Sequence, residues 1–299
     1  MTTGNAPCLT GETCTIGALL TEIRRRLLAA GVESADQEAL WLVEHALGLS
    51  GVALIVDGRR MLSGREVATV QKAVARRVGR EPLQYILGTQ EFCGLEFEVN
   101  PSVLIPRPET ELLVRETIRR LPRRRGAVLV DVGTGSGCLA VTLARSVPQG
   151  RTLAIDLSDR ALETAKRNAR RHGVESAITW LEGDLLAPLA GRGLEGTVTA
   201  ILSNPPYIQA SDWPTLQPEV RFEPRTALIA GLRGTELHER LLDEAVPFLM
   251  PGGLLVLELG RGQSAALRRK VGTMPAYKPA DIVSDDAGID RVLIVERAG

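Results

Sequence analysis

The sequence predicts a chain of two domains, in which a small helical domain precedes an α/β domain with a mainly parallel sheet. Three observations lead to this fold class. Leucines and isoleucines recur at helical spacing between residues 16 and 79. From residue 127 onward, short apolar segments alternate with helical segments, which is typical of a parallel sheet covered on both faces. The last two apolar segments, near 280–284 and 291–296, are so close in sequence that they predict an antiparallel edge.

The helical domain is predicted over residues 15–80, after a polar tail of residues 1–14 that is expected to be disordered. Apolar residues at helical spacing predict a first helix that ends at Gly31 and a second that ends at Gly48, since glycine commonly terminates helices. A third helix is predicted from about residue 63 to residue 78. This part of the sequence holds no catalytic motif, so the chemistry is expected elsewhere.

Residues 81–110 predict a linker with a short hairpin, because Gly94 and Asn100-Pro101 interrupt a run of alternating apolar residues. The α/β domain is then predicted over residues 111–299. Its strands are expected near 127–131, 152–156, 178–181, 198–203 and 253–259, ahead of the closing pair, and its longer helices near 138–147, 159–172 and 236–249.

The composition excludes several classes of protein. The number of lysines and arginines, 36, equals the number of aspartates and glutamates. This balance argues against a stable nucleic-acid partner, because a protein that binds nucleic acid needs excess positive charge. No apolar run is long enough to span a bilayer and the N-terminus does not resemble a signal peptide, so no membrane contact and a cytoplasmic location are expected. The four cysteines and three histidines lack the spacing of metal ligands, so no metal site is expected.

A glycine-rich loop follows the first strand of the α/β domain, in the stretch Gly133-Thr134-Gly135-Ser136-Gly137. Glycines allow a tight turn and the close approach of backbone to a ligand, and the following helix directs free N–H groups toward the loop. Asp156 ends the second strand, where a carboxylate can accept hydrogen bonds from ribose hydroxyls, and Asp184 follows the third strand, where the adenine end of a ligand would lie. The order of these three elements predicts a nucleoside cofactor.

The kind of cofactor is narrowed by what the loop lacks. Its Gly-x-Gly-x-Gly spacing differs from that of dinucleotide binders, and no Lys-Ser or Lys-Thr pair follows it as in phosphate-binding loops. The second half of a dinucleotide fold is missing, which favours S-adenosylmethionine over NAD. The alternative is a glycine turn with acidic helix caps and no ligand, and Asp156-Leu157-Ser158-Asp159 does look like such a cap.

The stretch Asn204-Pro205-Pro206-Tyr207 follows the strand predicted at 198–203. The Asn204 side-chain oxygen and the Pro205 carbonyl can accept the two N–H groups of a planar amide, and the prolines fix the direction of both acceptors. Tyr207 supplies a flat wall against the planar group. With a sulfonium methyl donor, this arrangement predicts methyl transfer to a planar nitrogen without a strong general base. The alternative is a polyproline-like turn that only ends the strand.

With both elements in view, the chain resembles the class I S-adenosylmethionine-dependent methyltransferases, and more narrowly the HemK-type release factor glutamine methyltransferases. The resemblance covers most of the chain. Asn-Pro-Pro-Tyr alone is shared with adenine and cytosine amino-methyltransferases, so two other stretches narrow the family. They are Ile105-Pro106-Arg107-Pro108-Glu109-Thr110 and Glu219-Val220-Arg221-Phe222-Glu223-Pro224-Arg225.

The resemblance implies a Rossmann-like methyltransferase domain and a helical N-terminal domain that helps dock peptide chain release factors. It implies that the enzyme methylates N5 of the glutamine in the Gly-Gly-Gln motif of those factors. The residues that match the family's cofactor site are Gly133, Thr134, Gly135, Ser136, Gly137, Asp156, Asp184, Leu185 and Asn204. Those that match its glutamine site are Asn204, Pro205, Pro206 and Tyr207, of which Asn204, Pro205 and Tyr207 are implied to be catalytic.

Two positions depart from the family's pattern. Many members carry a tryptophan beside the acidic residue after the third strand, where this chain has Leu185. Adenine stacking would be replaced there by apolar packing, so weaker cofactor binding is expected. Many members also have an aspartate where this chain has Arg233, in Gly231-Leu232-Arg233-Gly234, so no role of that aspartate carries over.

Two other functions use the same motifs. A nucleic-acid methyltransferase acting on adenine N6 would present the same acceptors to a flipped base stacked on Tyr207. The balanced charge, the low aromatic content of 3% and the lack of a separate basic domain disfavour it. A silent scaffold would bind cofactor and present its helical domain to a translation partner without turnover. The intact Asn204 and glycine loop argue against this scaffold.

Overall fold

The computed structural model describes residues 14–122 and 125–299, so nearly all of the predicted N-terminal tail lies outside the described residues. The chain divides into two compact units. The first contains the chain up to Gly88 together with Gln217–Phe222, and the second contains Thr89–Leu216 and Glu223–Gly299. The hairpin that was predicted within a linker therefore belongs to the second unit.

The first unit is helical throughout its described part. Its helices are α1 (Ile16–Ala29), α2 (Ala35–Leu47), α3 (Gly51–Val56), α4 (Gly64–Val78) and α5 (Leu83–Leu87). Gly48 ends α2 in the left-handed conformation, with a φ of 65°, as predicted. α4 begins with a capping box, in which the Ser63 hydroxyl accepts from the Glu66 N–H and the Glu66 carboxylate accepts from the Ser63 N–H.

One apolar core holds these helices together. The fully buried side chains of α1 recur every three or four residues and so form one face; they are Ile16, Leu19, Ile23 and Leu27. That face packs with buried positions of α2 and α4, such as Leu42 and Val70. The helical periodicity seen in the sequence therefore corresponds to real burial.

A buried charge cluster, Arg77 with Glu38 and Glu219, joins three segments of the first unit. The Arg77 side chain on α4 is 6% exposed. Its Nε donates to Glu38 on α2 at 2.5 Å, and its Nη1 donates to Glu219 at 2.9 Å. Arg80 also donates to Glu219, at 2.7 Å. These bonds join the Gln217–Phe222 segment to the helices, because the buried Arg77 guanidinium takes one of its carboxylate partners from that segment.

The second unit begins with a hairpin of β1 (Thr89–Phe92) and β2 (Leu95–Glu98). Its helices are α6 (Glu111–Arg120), α7 (Cys138–Ser146), α8 (Asp159–Arg171), α9 (Glu236–Ala245) and α10 (Ser264–Gly272). Its other strands are β3 (Val128–Val132), β4 (Arg151–Asp156), β5 (Ile178–Glu182), β6 (Val198–Ser203), β7 (Ile208–Gln209), β8 (Ile229–Gly231), β9 (Leu249–Glu258), β10 (Asp281–Ser284) and β11 (Asp290–Glu296).

Seven of these strands form one sheet, in the order β10-β11-β9-β6-β3-β4-β5. The strands from β9 to β5 are parallel, whereas β11 and β10 pair antiparallel at the edge. This arrangement confirms the predicted fold class. Strands β7 and β8 form a separate parallel pair just beyond the Asn-Pro-Pro-Tyr stretch.

Both faces of the sheet are buried. Alternate residues of β3 point to opposite cores, Val130 and Val132 to one and Leu129 to the other. Helices α9 and α10 cover the first face, and α6 and α7 contribute to the second. Burial on both faces explains why these strands appear in the sequence as continuous apolar runs.

Four helices differ from the prediction, and two of them, the short α3 and α5 of the first unit, were not predicted. The helix predicted to reach residue 249 ends at Ala245, because Pro247 has no backbone N–H with which to continue the helical hydrogen bonds, and β9 begins at Leu249. Helix α10 was not predicted, because only Leu267 and Val271 are buried and the rest of its short sequence consists of small or basic residues. No helix within residues 14–122 and 125–299 is both long and apolar enough to cross a membrane.

We expect the change Arg77→Met to loosen the helical unit. It leaves two carboxylates without their buried partner, which costs about 3–5 kcal/mol of local stability. Hydrogen exchange of the α2 and α4 amides would measure this cost. The control is Arg76→Met, whose ion pair with Glu81 is more exposed and should change stability by about 1 kcal/mol or less. Equal exchange rates in the two variants would contradict a structural role for Arg77.

Candidate functional site

The parallel strands bring the predicted site residues to one edge of the sheet. β9, β6, β3, β4 and β5 are neighbours in that order, so their carboxyl ends form a row. Glu258 ends β9, Asn204 follows β6, Gly133 follows β3, Asp156 ends β4 and Asp184 follows β5. Ligands of open α/β sheets bind at this edge, so the fold supports a single site.

The glycine loop, residues 133–137, is tied to the end of β4. The backbone N–H groups of Gly133 and Thr134 both donate to the Ile155 carbonyl at 2.9 Å. The N–H of Gly135 donates to the Asp156 carboxylate at 2.8 Å. These bonds fix the position of the loop relative to the acidic residue that was predicted to act with it.

Two of the glycines are required for different reasons. Gly133 has a φ of 71°, and a Cβ there would meet no atom within 4 Å, so open space lies above the loop. Gly137 has a φ of 81°, and a Cβ there would come within 2.9 Å of the Ala165 Cβ on α8. Gly133 therefore leaves room for a ligand, whereas Gly137 allows α8 to pack against the loop.

Asn168 of α8 holds the glycine loop through a hydrogen bond to its backbone. Its Nδ2 donates to the Ser136 carbonyl at 2.8 Å and to the Glu98 carbonyl at 3.0 Å, and its Oδ1 accepts from the Glu98 N–H at 2.7 Å. The side chain is fully buried and all of these bonds are satisfied. Asn168 thus joins the loop to the hairpin.

Asp131, in β3, is a buried carboxyl group next to the loop. Its Oδ2 accepts from the Thr134 hydroxyl at 2.6 Å and from the Ala140 N–H at 3.0 Å. Its Oδ1 and the Ser136 hydroxyl have no hydrogen-bond partner. Burial raises the pKa of Asp131 to about 7, and the negative charge of Asp156 adds to this rise. An orphaned carboxyl oxygen beside a glycine loop fits a ligand that carries an ammonium group.

Asp156 is partly exposed at the end of β4. Its Oδ2 accepts from Gly135 and its Oδ1 accepts from the Ser158 N–H at 2.9 Å. Burial raises the pKa of this carboxyl, whereas these backbone donors lower it. Each oxygen keeps a second acceptor position, so Asp156 has the capacity to bind a pair of hydroxyl groups.

The third acidic residue lies in a different environment. Asp184 is exposed and forms an ion pair with Arg240 on α9 at 2.9 Å. Leu185 adopts a φ of 45° and packs against the core on the β3 Val130 side. The structure therefore places both residues on the loop after β5, with the Asp184 carboxylate already paired.

The Asn-Pro-Pro-Tyr stretch directly follows β6, whose last residue is held by a hydrogen bond to β3. The hydroxyl of Ser203, the last residue of β6, donates to the Val132 carbonyl at 2.7 Å. The next residue, Asn204, is half-buried, and its Nδ2 donates to the Thr110 hydroxyl at 3.1 Å. The Asn204 amide is therefore held from one side, and its Oδ1 is left to accept from another group.

A buried carboxyl group, Glu258, lies behind this amide. Its Oε2 accepts from the Thr110 hydroxyl at 2.6 Å, and its Oε1 accepts from the Tyr207 hydroxyl at 3.3 Å. Glu258 is 1% exposed. Burial also raises the pKa of Tyr207, which keeps its phenol neutral and able to donate. Thr110, Asn204, Tyr207 and Glu258 thus form one hydrogen-bonded cluster, named here the amide-support cluster.

Two side chains, Gln263 and Glu223, hold the backbone around this cluster through hydrogen bonds. Gln263 donates through Nε2 to the Tyr207 and Gly234 carbonyls, both at 3.0 Å. The buried Glu223 accepts from the Ile105 N–H at 3.0 Å and from the Arg107 guanidinium. The two stretches that narrowed the family resemblance therefore meet inside the second unit, through Arg107 and Glu223.

Several of these residues were missed as site residues from the sequence. Thr110 lies in a quoted motif, but its role needs the position of Glu258, which is distant in sequence. Glu258 could have been recognised from the sequence, because it is a carboxylate at the end of the apolar strand β9 and a buried carboxylate requires hydrogen-bond donors. Asn168 and Gln263 carry no such signal. As for metals, no group of ligand side chains occurs within the part of the chain that the structure describes.

Comparison with known proteins places this geometry in context. Two family models match the chain, one described as the PrmC N-terminal domain over residues 18–88 and one as the methyltransferase small domain over residues 109–217. The hMettl16 catalytic domain, solved in complex with MAT2A 3′UTR hairpin 1, shares the fold with a TM-score of 0.56. It is 17% identical, over 77% of this chain and 79% of that chain.

Curated relatives extend over nearly the whole chain. The release factor glutamine methyltransferase of Geobacter sulfurreducens is 44% identical over 94% of this chain and 96% of its own length. The protein of the same name from Moorella thermoacetica is 40% identical over 95% of this chain and 99% of its own length. The chain therefore belongs to the release factor glutamine methyltransferase family.

Proposed function

We propose that this enzyme transfers the methyl group of S-adenosylmethionine to the side-chain amide nitrogen, N5, of the glutamine in the Gly-Gly-Gln motif of peptide chain release factors. One observation carries the proposal beyond family membership. Asn204, next to the glycine loop, has its amide nitrogen engaged by Thr110 and its amide oxygen free to accept. The cytoplasm, where peptide chains are terminated, is the compartment that this substrate implies.

The substrate explains why such an acceptor is needed. The nitrogen of a carboxamide is a poor nucleophile, because its lone pair is delocalised into the carbonyl. Acceptors on both of its N–H groups orient the amide and stabilise the positive charge that develops on nitrogen during transfer. We assign these acceptors to the Asn204 Oδ1 and the Pro205 carbonyl, whose direction the Pro205 and Pro206 rings restrict.

Tyr207 completes the proposed glutamine site. Its hydroxyl is bound to Glu258 and its carbonyl accepts from Gln263, so both ends of the residue are held. A ring fixed in this way offers a flat surface for a planar amide at little entropic cost. The neutral phenol adds no charge that would compete for the donors of the substrate.

The residues of the glycine loop fit the cofactor. S-adenosylmethionine supplies a sulfonium-activated methyl group when it is bound. We assign Asp156 to its ribose hydroxyls, the loop of residues 133–137 to its amino-acid part, and Asp184 with Leu185 to its adenine end. Asn204 lies between the two sites in this assignment. The orphaned oxygen of Asp131 and the open space at Gly133 support it.

The helical unit, proposed over residues 15–80 as a docking domain, offers an apolar face. Val52, Ile55 and Val56 of α3 are 72%, 74% and 76% exposed. They lie three and four residues apart, so they share one side of the helix. Exposed apolar side chains grouped in this way mark interaction surfaces. We propose that this face contacts the release factor away from its Gly-Gly-Gln motif.

The function is tested by transfer of labelled methyl from S-adenosylmethionine to a purified release factor. We expect label on the wild-type factor and none on a factor whose Gly-Gly-Gln is changed to Gly-Gly-Ala. Bare DNA is the second control and should stay unlabelled. Label on DNA would support an adenine methyltransferase instead. Cofactor binding without any turnover would support the non-catalytic scaffold.

The two halves of the site should separate in a pair of variants. Asn204→Ala removes a substrate acceptor, so we expect kcat to fall by on the order of 10²-fold while cofactor affinity changes by less than about threefold. Asp156→Ala removes the proposed ribose acceptor, so cofactor affinity should fall first, on the order of tenfold or more. Calorimetric titration and initial rates measure both quantities. Equal loss of cofactor affinity in the two variants would contradict these assignments.

The docking face should matter only for a whole release factor. We expect Ile55→Asp to raise the KM for the intact factor on the order of tenfold, because it places a charge in an apolar contact. A short peptide that contains Gly-Gly-Gln is the matched control substrate, and its kinetics should not change. An unchanged KM for the intact factor would exclude α3 as the contact.

A further inference from the structure

We propose that Glu258, acting through Thr110, sets the orientation of the Asn204 side-chain amide, so that the ionised carboxylate is needed to present the acceptor oxygen of Asn204 to the substrate. The inference rests on the proposed function, because it concerns the same glutamine site. Glu258 and Thr110 touch neither substrate nor cofactor in this proposal and are positioning residues.

The distances define a single chain of hydrogen bonds. The Asn204 Nδ2 lies 3.1 Å from the Thr110 Oγ1, and the Thr110 Oγ1 lies 2.6 Å from the Glu258 Oε2. A separation of 2.6 Å is in the range of a charge-assisted bond from a hydroxyl to a carboxylate. Thr110 and Glu258 are 3% and 1% exposed, so water does not compete for these positions.

The directions of these bonds follow from the number of protons available. A threonine hydroxyl has one proton, whereas an ionised carboxylate can only accept. Thr110 therefore gives its proton to Glu258 and can only accept from Asn204. The Asn204 group that faces Thr110 must be the Nδ2, which leaves the Oδ1 on the other side. The carboxylate thus selects one of the two flips of the amide.

Protonation of Glu258 removes this selection. A carboxyl group that carries a proton on Oε2 can donate to Thr110, which then is free to give its own proton to Asn204. The amide would turn its Oδ1 towards Thr110 and its Nδ2 towards the substrate. Because a glutamine N–H group cannot donate to Nδ2, methyl transfer would lose an acceptor.

The groups around Glu258 set its pKa and therefore the pH range in which the Asn204 amide would turn. Burial raises its pKa to about 7, the negative charge of Glu109 adds to the rise, and Arg291 on β11 opposes it. On the α9 side, the His238 Nε2 is bound to the Glu258 carbonyl at 2.7 Å, and burial lowers the pKa of His238, which keeps it neutral. Tyr207 is neutral as well. Glu258 is the group of this cluster that titrates near neutral pH.

The first test is the pH dependence of kcat for the unaltered enzyme at saturating cofactor and release factor. We expect kcat to fall as the pH is lowered through about 7, and to be about tenfold lower one pH unit below the midpoint. Saturating cofactor separates this effect from Asp131, which also titrates near 7 but belongs to the cofactor loop. A kcat that is constant between pH 5.5 and 8 would overturn the inference.

The second test uses a matched pair of variants. Thr110→Val keeps the shape but breaks the chain, so kcat at pH 8 should fall on the order of tenfold and the decline at low pH should disappear. Thr110→Ser keeps the hydroxyl and should restore both. Cofactor affinity should change by less than about threefold in either variant. A Thr110→Val enzyme with the wild-type pH profile would contradict the inference.

The two proposals fail in different ways. An unaltered enzyme that transfers no methyl group to the glutamine at any pH would contradict the proposed function and this inference with it. Transfer with a flat pH profile would contradict only the role of Glu258. A lowered melting temperature in Thr110→Val with unchanged kcat and pH profile would show that the cluster serves stability alone.

Discussion

The hydrogen-bonded register of β6 between β3 and β9 is the constraint on which the site depends. Ser203 lies opposite Val132 on one side and Leu257 on the other. This register puts Asn204 beside Glu258 and next to the first residue of the glycine loop. A slip of one residue would exchange the two faces of β6 and remove Asn204 from both neighbours. The chemistry of the enzyme is thus set by backbone pairing before any side chain of the site is considered.

The two halves of the site use buried carboxyl groups in different ways. Asp156 accepts from the Gly135 N–H and Asp131 accepts from the Thr134 hydroxyl, so both hold the glycine loop, and the other Asp131 oxygen has no partner. Both oxygens of Glu258 are bound, one to Thr110 and one to Tyr207, so neither is left for a ligand. Burial of such a group is costly unless donors surround it, so its retention at the end of β9 argues for positioning. A rigid support behind Asn204 is what orientation of a weak nucleophile requires.

The sequence was sufficient for the fold class and for finding the motifs that we assign to the ligands, since glycine loops, proline pairs and apolar strands act locally. It was insufficient for α10, whose apolar face is reduced to two buried positions. It was also insufficient for the amide-support cluster. The cluster joins residues from three distant parts of the sequence, because Thr110 precedes β3, Asn204 follows β6 and Glu258 ends β9. Such contacts arise from sheet topology, which no local pattern specifies. The placement of Asp156, Asp184 and Asn204 at one sheet edge supports the roles that we propose for them.

Methyl transfer as proposed requires the Oδ1 of Asn204, and not its Nδ2, to face the substrate. A crystal structure of the enzyme with S-adenosylhomocysteine and a peptide that contains Gly-Gly-Gln, at a pH above 7, tests it directly. We predict that the glutamine amide nitrogen lies within hydrogen-bond distance of the Asn204 Oδ1 and the Pro205 carbonyl, with the Asn204 Nδ2 still bound to Thr110. A glutamine bound elsewhere, or an Asn204 that has left Thr110 in the complex, would contradict the account.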